Sequence, residues 1–342
     1  MNDKISTMAN KLFYLITNIG TALLRLIPEE YSHNVSLFLL DLFHFLGLVP
    51  LQNNKSAKSN YLLGLSFKNK LGLSAGLDKN GDHLQSLSSL GVGFIEIGTV
   101  TPKPQNGNNK PRLFRDTKNK SLINMMGFNN KGVLHLVKNL KKQRKHQAIV
   151  GVSIGKNSET PIEDAIKDYK ECMSHVYEHS DYIAINISSP NTRNLRNLES
   201  IDYFSELISA LKEEQKELSN QYGYVPLLVK ISPDINDTDL DNLLSEVLKN
   251  DIDGVIATNT TTDHNFRIAK GGLSGEPLFN RSNEVLKICR NSLGSQFPLI
   301  ASGGVMSKEM YEEKISLGAD LVQIYTGLIY KGPKLIGDIL DS

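Results

Sequence analysis

The chain has 342 residues, with 38 Lys+Arg against 37 Asp+Glu, a formal net charge of +1 and 40% hydrophobic residues. Balanced charge excludes a nucleic-acid footprint, and 26 Gly with 12 Pro excludes collagen-like, low-complexity and disordered chains. Cys172 and Cys289 stand far apart and outside any CxxC spacing, which excludes a disulfide scaffold or a Cys-based metal site and suits a reducing compartment.

The mean hydropathy of −0.24 conceals a gradient. Residues 1–50 contain 27 apolar residues, in two blocks. Leu12–Ile27 is closed by Pro28-Glu29-Glu30, and Val35–Val49 is closed by Pro50. Each block reads as a helix, and each is shorter than the ~20 residues a membrane span needs. Short apolar helices can lie in a lipid interface without crossing it. Lys4, Lys11 and Arg25 are the only cations of this stretch, so its attachment is expected to be hydrophobic more than electrostatic. Asp41, Glu29 and Glu30 read as its polar edge, and His33 and His44 as interface histidines of a helix pair. A signal peptide over Lys11–Leu24 competes. No small-x-small cleavage site clearly follows it, and it leaves the second apolar block unexplained.

Gln52–Asn60 (QNNKSAKSN) reads as a linker. Tyr61–Lys70 reads as a short hairpin with its turn near Lys68–Lys70. Beyond it, short apolar runs alternate with helical stretches. The runs are Leu71–Ala75, Gly93–Ile97, Ile149–Ile154, Tyr182–Ile187, Leu227–Ile231, Gly254–Ala257, Leu299–Ala301 and Leu321–Tyr325. Helical stretches include Ala165–Glu178, Phe204–Leu218, Thr238–Leu248, Asn283–Arg290 and Lys308–Leu317. This alternation predicts an α/β fold, a closed (β/α)8 TIM barrel over 71–342 with a small N-terminal helical appendage over 1–50 and a linker and hairpin over 51–70. A doubly wound open sheet is the runner-up, but the early Gly-rich turns lack GxGxxG spacing. Lys138–His146 (KNLKKQRKH) reads as a solvated helix face, and Cys172 as core filling.

A barrel puts its chemistry just after each strand. Those positions are small and polar here: Ala75-Gly-Leu-Asp-Lys79, Gly98-Thr99, Ser153, Asn186-Ile-Ser-Ser189, Lys230, Thr258-Asn-Thr260, Ser302-Gly-Gly304 and Tyr325-Thr326. No HExxH, no His cluster and no strand-end carboxylate pair appears, so metal and glycoside hydrolysis are poorly supported and no metal is expected. Amides, hydroxyls and two lysines suit a polar planar ligand. The Gly-rich turns at Gly271–Gly275 and Gly303-Gly304, with Tyr325-Thr326, suit a phosphate.

Ala75-Gly-Leu-Asp-Lys-Asn-Gly81, Gly98-Thr-Val-Thr-Pro-Lys-Pro-Gln105, Asn124-Met-Met-Gly-Phe128, Asn186-Ile-Ser-Ser-Pro-Asn-Thr192, Lys230-Ile-Ser-Pro-Asp234, Gly271-Gly-Leu-Ser-Gly275 and Leu321-Val-Gln-Ile-Tyr-Thr326 together resemble dihydroorotate dehydrogenase. The match runs in order from about residue 28 to the C-terminus. The apolar N-terminal extension and a serine at the base position resemble its class 2 branch.

That resemblance implies an FMN enzyme of pyrimidine biosynthesis that oxidises dihydroorotate to orotate and passes electrons to a membrane quinone. It implies a monomer that is peripheral on the cytoplasmic face of a bacterial inner membrane, or on an equivalent organellar membrane. Ser189 would take the C5 proton while hydride leaves C6 for flavin N5, with Thr192 and Phe128 flanking the proton route. Lys79, Asn124, Asn186, Asn191, Asn259 and Thr260, with the Met125-Met126-Gly127-Phe128 loop, would hold the substrate. Lys230 would approach the N1/O2 side of the flavin. Thr99, Ser153, Thr258, Asn186, Lys79, Ala75 and Gly76 would line the flavin, and Gly275, Gly304, Tyr325 and Thr326 would cradle its phosphate. His33 and Arg112 would lie along the quinone tunnel.

Three positions depart from the family pattern: Met125 where Arg is common, Ser153 where Asn is usual, and Arg193-Asn194 in place of Pro-Gly. The rival readings are a related FMN barrel with a soluble acceptor such as fumarate or NAD, a non-redox phosphate-binding lyase barrel, and a catalytically dead membrane scaffold. Ser189, where soluble-acceptor relatives carry Cys, counts against the first. Intact Lys79, Ser189 and Lys230 count against the last.

Overall fold

The computed structural model describes residues 2–50, 60–142, 148–266 and 270–340, with side chains from residue 10 onward. Most of the expected linker, and residues 143–147 of the basic Lys138–His146 stretch, lie outside the described residues.

Helix α1 (Asn2–Leu24) is followed by α2 (Glu29–Phe45). Pro28 precedes α2, where a missing N–H costs no helical hydrogen bond. Both helices begin earlier than their apolar blocks, because polar residues complete the first turns. Strands β1 (Asn60–Leu62) and β2 (Leu65–Phe67) pair antiparallel. Their turn is Leu63-Gly64, not the Lys68–Lys70 expected from the sequence. A type I′ two-residue hairpin turn has positive φ at both central positions, and Leu63 and Gly64 have φ of 56° and 75°. Lys68–Lys70 instead leads into the first barrel strand. There Asn69 is buried; its Oδ1 accepts from Leu71 N at 3.1 Å and Gly93 N at 2.9 Å, and its Nδ2 donates to Gly91 O at 2.8 Å.

The barrel unit then repeats: β3 (Leu71–Leu73), α3 (Leu84–Ser89), β4 (Phe94–Val100), β5 (Leu113–Asp116), β6 (Ser121–Asn124), α4 (Val133–Lys142), β7 (Ile149–Ile154), α5 (Ala165–Val176), β8 (Tyr182–Asn186), α6 (Ile201–Tyr222), β9 (Leu227–Ile231), α7 (Asp237–Lys249), β10 (Gly254–Ala257), β11 (Gly272–Gly275), α8 (Phe279–Leu293), β12 (Leu299–Ser302), α9 (Lys308–Ser316), β13 (Leu321–Ile324), α10 (Thr326–Lys331) and α11 (Lys334–Leu340). Strands β3, β4, β7, β8, β9, β10, β12 and β13 close in parallel into one barrel. These are the eight runs expected from the sequence. Parallel strands are covered on both faces, which is why they read as mostly apolar segments. An antiparallel sheet, β5-β6-β11, was not expected; it forms from segments almost 150 residues apart, with Gly272 opposite Asn124.

The end of the barrel below the strand N-termini is filled. Phe67 from β2 is fully buried against Phe94, Tyr182, Leu228, Ile256, Ile300 and Leu321, and the Phe67 and Phe94 rings meet edge to face at 5.7 Å. Helices α1 and α2 pack on the other side of the molecule. Phe13 and Leu37 join the same core as the barrel helices. Asp41, expected as plain polar edge, instead accepts from Ser86 Oγ at 2.5 Å and contacts His83 Nδ1 at 2.6 Å, fastening α2 to α3. Glu30 and Glu29 are also more than edge residues. Glu30 Oε1 lies 2.7 Å from Arg112 Nη2, and Glu29 accepts from Arg115 N at 3.3 Å. The outer faces stay apolar, with Leu26, Phe38 and Phe45 at 81%, 65% and 85% exposure. Among the described residues no helix is long and apolar enough to cross a membrane.

Candidate active site at the barrel mouth

The barrel strands end around one cavity at the C-terminal mouth. Ala75, Gly76 and Lys79 reach it after β3, Thr99 from β4, and Asn124, Met126, Gly127 and Phe128 after β6. Asn186, Ser189 and Asn191 come from the end of β8 and its loop, Lys230 from β9, and Thr258, Asn259 and Thr260 from the loop after β10. Gly275, Gly304, Tyr325 and Thr326 close the remaining side. Residues from opposite ends of the sequence thus face one space.

The barrel floor holds a buried ionic network. Lys230 Nζ donates to Glu96 Oε1 at 3.2 Å and Ser74 Oγ at 3.0 Å. Glu96 Oε2 accepts from Gln323 Nε2 at 2.8 Å and Tyr182 Oη at 3.3 Å. Three partners, Ser74, Gln323 and Tyr182, therefore surround a buried charge pair, which is the condition for tolerating one. Ser74, Glu96 and Gln323 were not singled out in the sequence. The signal was there: Glu96 is a lone carboxylate inside an otherwise apolar strand.

Above the floor, amides hold one another in place. Asn186 Nδ2 donates to Thr99 Oγ1 at 2.8 Å, and Asn259 Nδ2 donates to Asn186 Oδ1 at 3.2 Å and Ser188 Oγ at 3.0 Å. Ser188 Oγ in turn donates to Lys230 O at 2.6 Å. Ser153 lies behind this layer, does not line the cavity, and meets Thr99 Oγ1 at 2.8 Å. Its hydroxyl supports Thr99, which does line the cavity.

Ser189 is buried at the cavity wall, where its Oγ accepts only a long bond, 3.4 Å, from Asn191 N. Its loop is fastened from both sides. Asn191 Nδ2 donates to Asn124 Oδ1 at 2.8 Å, and Arg196 bridges Ser188 O, Asp234 and Thr260 O at 3.1, 2.7 and 2.9 Å. Phe128 lines the cavity beside it. Thr192 and Met125 are not among the lining residues. Thr192 Oγ1 is buried without a hydrogen-bond partner among the described residues. Met125 contributes backbone instead, its N–H bonding Arg112 O at 2.7 Å.

Burial pushes the Lys79 ammonium down to about 8, with Arg112 adding repulsion. Lys79 Nζ donates to Gly76 O at 2.9 Å. Burial also pushes His33 down to about 3, helped by the positive Lys79, so its ring is neutral. Burial alone would raise Glu30, but Arg112 and Lys110 outweigh it and hold the carboxylate below its ordinary value.

A second cavity, of about 350 Å³, opens between α1, α2 and the barrel. Its walls are largely aliphatic, including Ile16, Leu24, Leu40, Leu87 and Leu328. His33, Leu113, Leu122 and Tyr325 line both cavities, so the two abut there. Arg112, expected along this route, lines neither. Its guanidinium is spent on Glu30, Asn106 O and Asn108 O, and the arginines that line the apolar cavity are Arg25 and Arg115.

The family model for dihydroorotate dehydrogenase matches residues 58–342. The dihydroorotate dehydrogenase (quinone) of Acinetobacter baumannii strain ATCC 17978 is 45% identical over 335 residues, covering 96% of this chain and 99% of the relative. That of Aliivibrio salmonicida is 49% identical over 310 residues, covering 89% and 90%. A crystal structure of DHODH from Eimeria tenella in complex with ferulenol superposes with a TM-score of 0.84 at 32% identity, covering 92% of this chain and 90% of that one. The barrel, its strand-end residues and these likenesses agree: the chain belongs to the dihydroorotate dehydrogenase family.

Proposed function

We propose that the chain oxidises dihydroorotate to orotate in pyrimidine biosynthesis and delivers the electrons to a membrane quinone by way of FMN. The observation that carries this is the convergence of Lys79, Ser189, Lys230 and four asparagines on one cavity that abuts an apolar cavity at His33.

The residues fit FMN. At one end, Gly304 has φ of 80°, and a Cβ there would strike Phe279 at 2.5 Å. Only glycine keeps that turn, whose backbone faces the cavity beside Gly275, Tyr325 and Thr326. Such a peptide-lined cradle suits a phosphate. At the other end stands the buried Lys230 ammonium, which suits negative charge on a reduced ring. When bound, FMN accepts the hydride that leaves substrate C6.

The chain's own residues supply the rest. Lys79 and the amides of Asn124, Asn186, Asn191 and Asn259 bind the carboxylate and the polar edges of a planar anion. Ser189 takes the C5 proton. A neutral hydroxyl is a weak base, so it must pass its proton on. The Thr192 hydroxyl, without a hydrogen-bond partner among the described residues, would receive it, with Phe128 lining the cavity beside Ser189. Lys230 is held in place by its contact with Glu96, 3.2 Å away.

Residues 1–50 then form the quinone-access and membrane-seating unit, and 71–342 the catalytic barrel. The exposed apolar faces of α1 and α2 favour a peripheral seat in a lipid interface. The second cavity favours a quinone over fumarate or NAD, which need polar walls. The test is an assay of dihydroorotate oxidation with a quinone analogue, fumarate and NAD in parallel, on protein whose flavin absorption has been recorded. Turnover with the quinone analogue alone is expected. A colourless protein that cannot take up FMN would overturn the reading.

A further inference from the structure

Lys314 is fully buried on α9 and belongs to none of the groups described above. Its Nζ donates to Ser282 Oγ at 2.9 Å and to Asn283 Oδ1 at 2.8 Å, both in the first turn of α8. It stands 5.1 Å from the centroid of the Phe279 ring. Among the described residues no carboxylate forms an ion pair with it. The neighbouring Glu313 turns to Asn283 Nδ2 instead, at 2.9 Å. A buried ammonium held by neutral acceptors is costly. It lies in the last turn of α9, whose dipole favours it, and against the start of α8, whose dipole opposes it. Glu313 offsets part of this cost through space, and a further anion nearby would offset more.

The geometry says where. Ser282 Oγ, which accepts from Lys314, also lies 3.2 Å from Gly303 O and 2.9 Å from Phe279 O. A Cβ on Gly303 would meet Ser282 at 2.9 Å, and one on Gly304 would meet Phe279 at 2.5 Å. The first turn of α8 is thus the backing of the Gly303-Gly304 turn, and Leu278, one residue earlier, lines the cavity itself.

We propose that Lys314 is a positioning residue for the flavin phosphate, a buried cation that acts from behind the Gly303-Gly304 turn through Ser282. The proposal rests on the FMN reading above. It assigns two effects to one side chain. The positive charge favours an anion in the cradle, and the Lys314–Ser282–Gly303 chain of contacts holds the turn with its peptides toward the cavity. Burial draws Lys314 down to about 7, and an anion entering the cradle restores its charge.

The experiment compares FMN with riboflavin, which lacks the phosphate. Full-length protein is stripped of flavin and titrated with each, following flavin fluorescence. Wild type is expected to bind FMN far more tightly than riboflavin. Lys314→Gln, which keeps a donor but not the charge, should weaken FMN on the order of tenfold and leave riboflavin nearly unchanged, because a unit charge acts on the phosphate alone. Ser282→Ala should lower the same ratio by a smaller factor. An unchanged FMN-to-riboflavin ratio in both variants overturns the proposal. So does an equal loss for both flavins, which would mark Lys314 as a purely structural tie between α9 and α8. If Lys314→Gln does not fold, Ser282→Ala decides alone, and a normal ratio there is again fatal. A wild type that binds neither flavin would instead overturn the FMN reading itself.

Discussion

The Lys230 ammonium stands 3.2 Å from the Glu96 carboxylate at the floor of the barrel, and water reaches neither group appreciably. Glu96 comes from the second barrel strand and Lys230 from the fifth, so the pair spans the barrel interior. Glu96→Gln keeps the shape and removes the compensating charge. Breaking a buried pair in this way costs about 3–5 kcal/mol. The variant should therefore unfold at distinctly lower denaturant concentration. Its flavin midpoint potential should rise, because an unneutralised Lys230 favours the reduced, negatively charged ring. Lys230→Met should move the potential the other way. Reductive titration checks both signs; a potential unmoved by either change would show that the pair is purely structural.

Among the described residues Ser189 has one weak hydrogen bond, from Asn191 N at 3.4 Å, and its loop is fixed by other residues. Ser189→Ala should thus leave the loop and the bound flavin in place. Losing a general base slows proton transfer by about 10²–10⁴. Anaerobic stopped-flow reduction of the flavin by dihydroorotate should show a loss of that size, with flavin content unchanged. Normal reduction would remove Ser189 from the proton step.

Lys79 gives a pH dependence with a definite sign. Burial and Arg112 lower its pKa to about 8, so the ammonium is present below that pH and lost above it. Binding an anionic substrate requires the ammonium. The kcat/KM for dihydroorotate should fall as pH rises through about 8. The substrate carboxylate raises the pKa in the complex, so kcat should stay level further up the scale. In Lys79→Arg the side chain stays charged, and the alkaline fall should disappear. Rate profiles from pH ~6 to ~10 decide the matter; a fall retained in the arginine variant would belong to another group.

Phe38 and Phe45 are exposed at 65% and 85% on the outer face of α2. Replacing both by Ser removes apolar area from the surface without opening the core. Stability should change by about 0.5 kcal/mol or less. Co-sedimentation with lipid vesicles should drop, and quinone reduction should slow while flavin reduction by dihydroorotate is untouched. High salt should release the wild type poorly, since screening weakens charge contacts and leaves apolar ones alone. Release by salt alone would overturn the hydrophobic seat.

The eight barrel strands could be read from the sequence because each is buried on both faces and spells a mostly apolar run, broken only by inward-facing groups such as Glu96, Lys230 and Gln323. Most strand-end residues followed from that, since chain order alone places Lys79, Ser189 and Lys230 at one rim. Contacts between distant segments were not readable. Asp41 and Glu30 looked like surface acids until the fold brought His83, Ser86 and Arg112 to them. Arg112 immediately precedes β5 and Arg115 lies within it, so strand alternation turns them to opposite sides, Arg112 to Glu30 and Arg115 to the apolar cavity. The hairpin turn was misplaced because Lys68–Lys70 looked polar, whereas the backbone needed positive φ at Leu63-Gly64.

Phe67, carried in by that hairpin, stoppers the barrel at its lower end. A vessel sealed there can be filled only from above. Its upper rim is shared by two doorways of opposite polarity, one walled by asparagines and the other by leucines. A water-borne reactant and an oil-borne one need never compete for the same passage. On the proposed function, the flavin would sit beside the seam where the two spaces abut, as at a phase boundary in miniature.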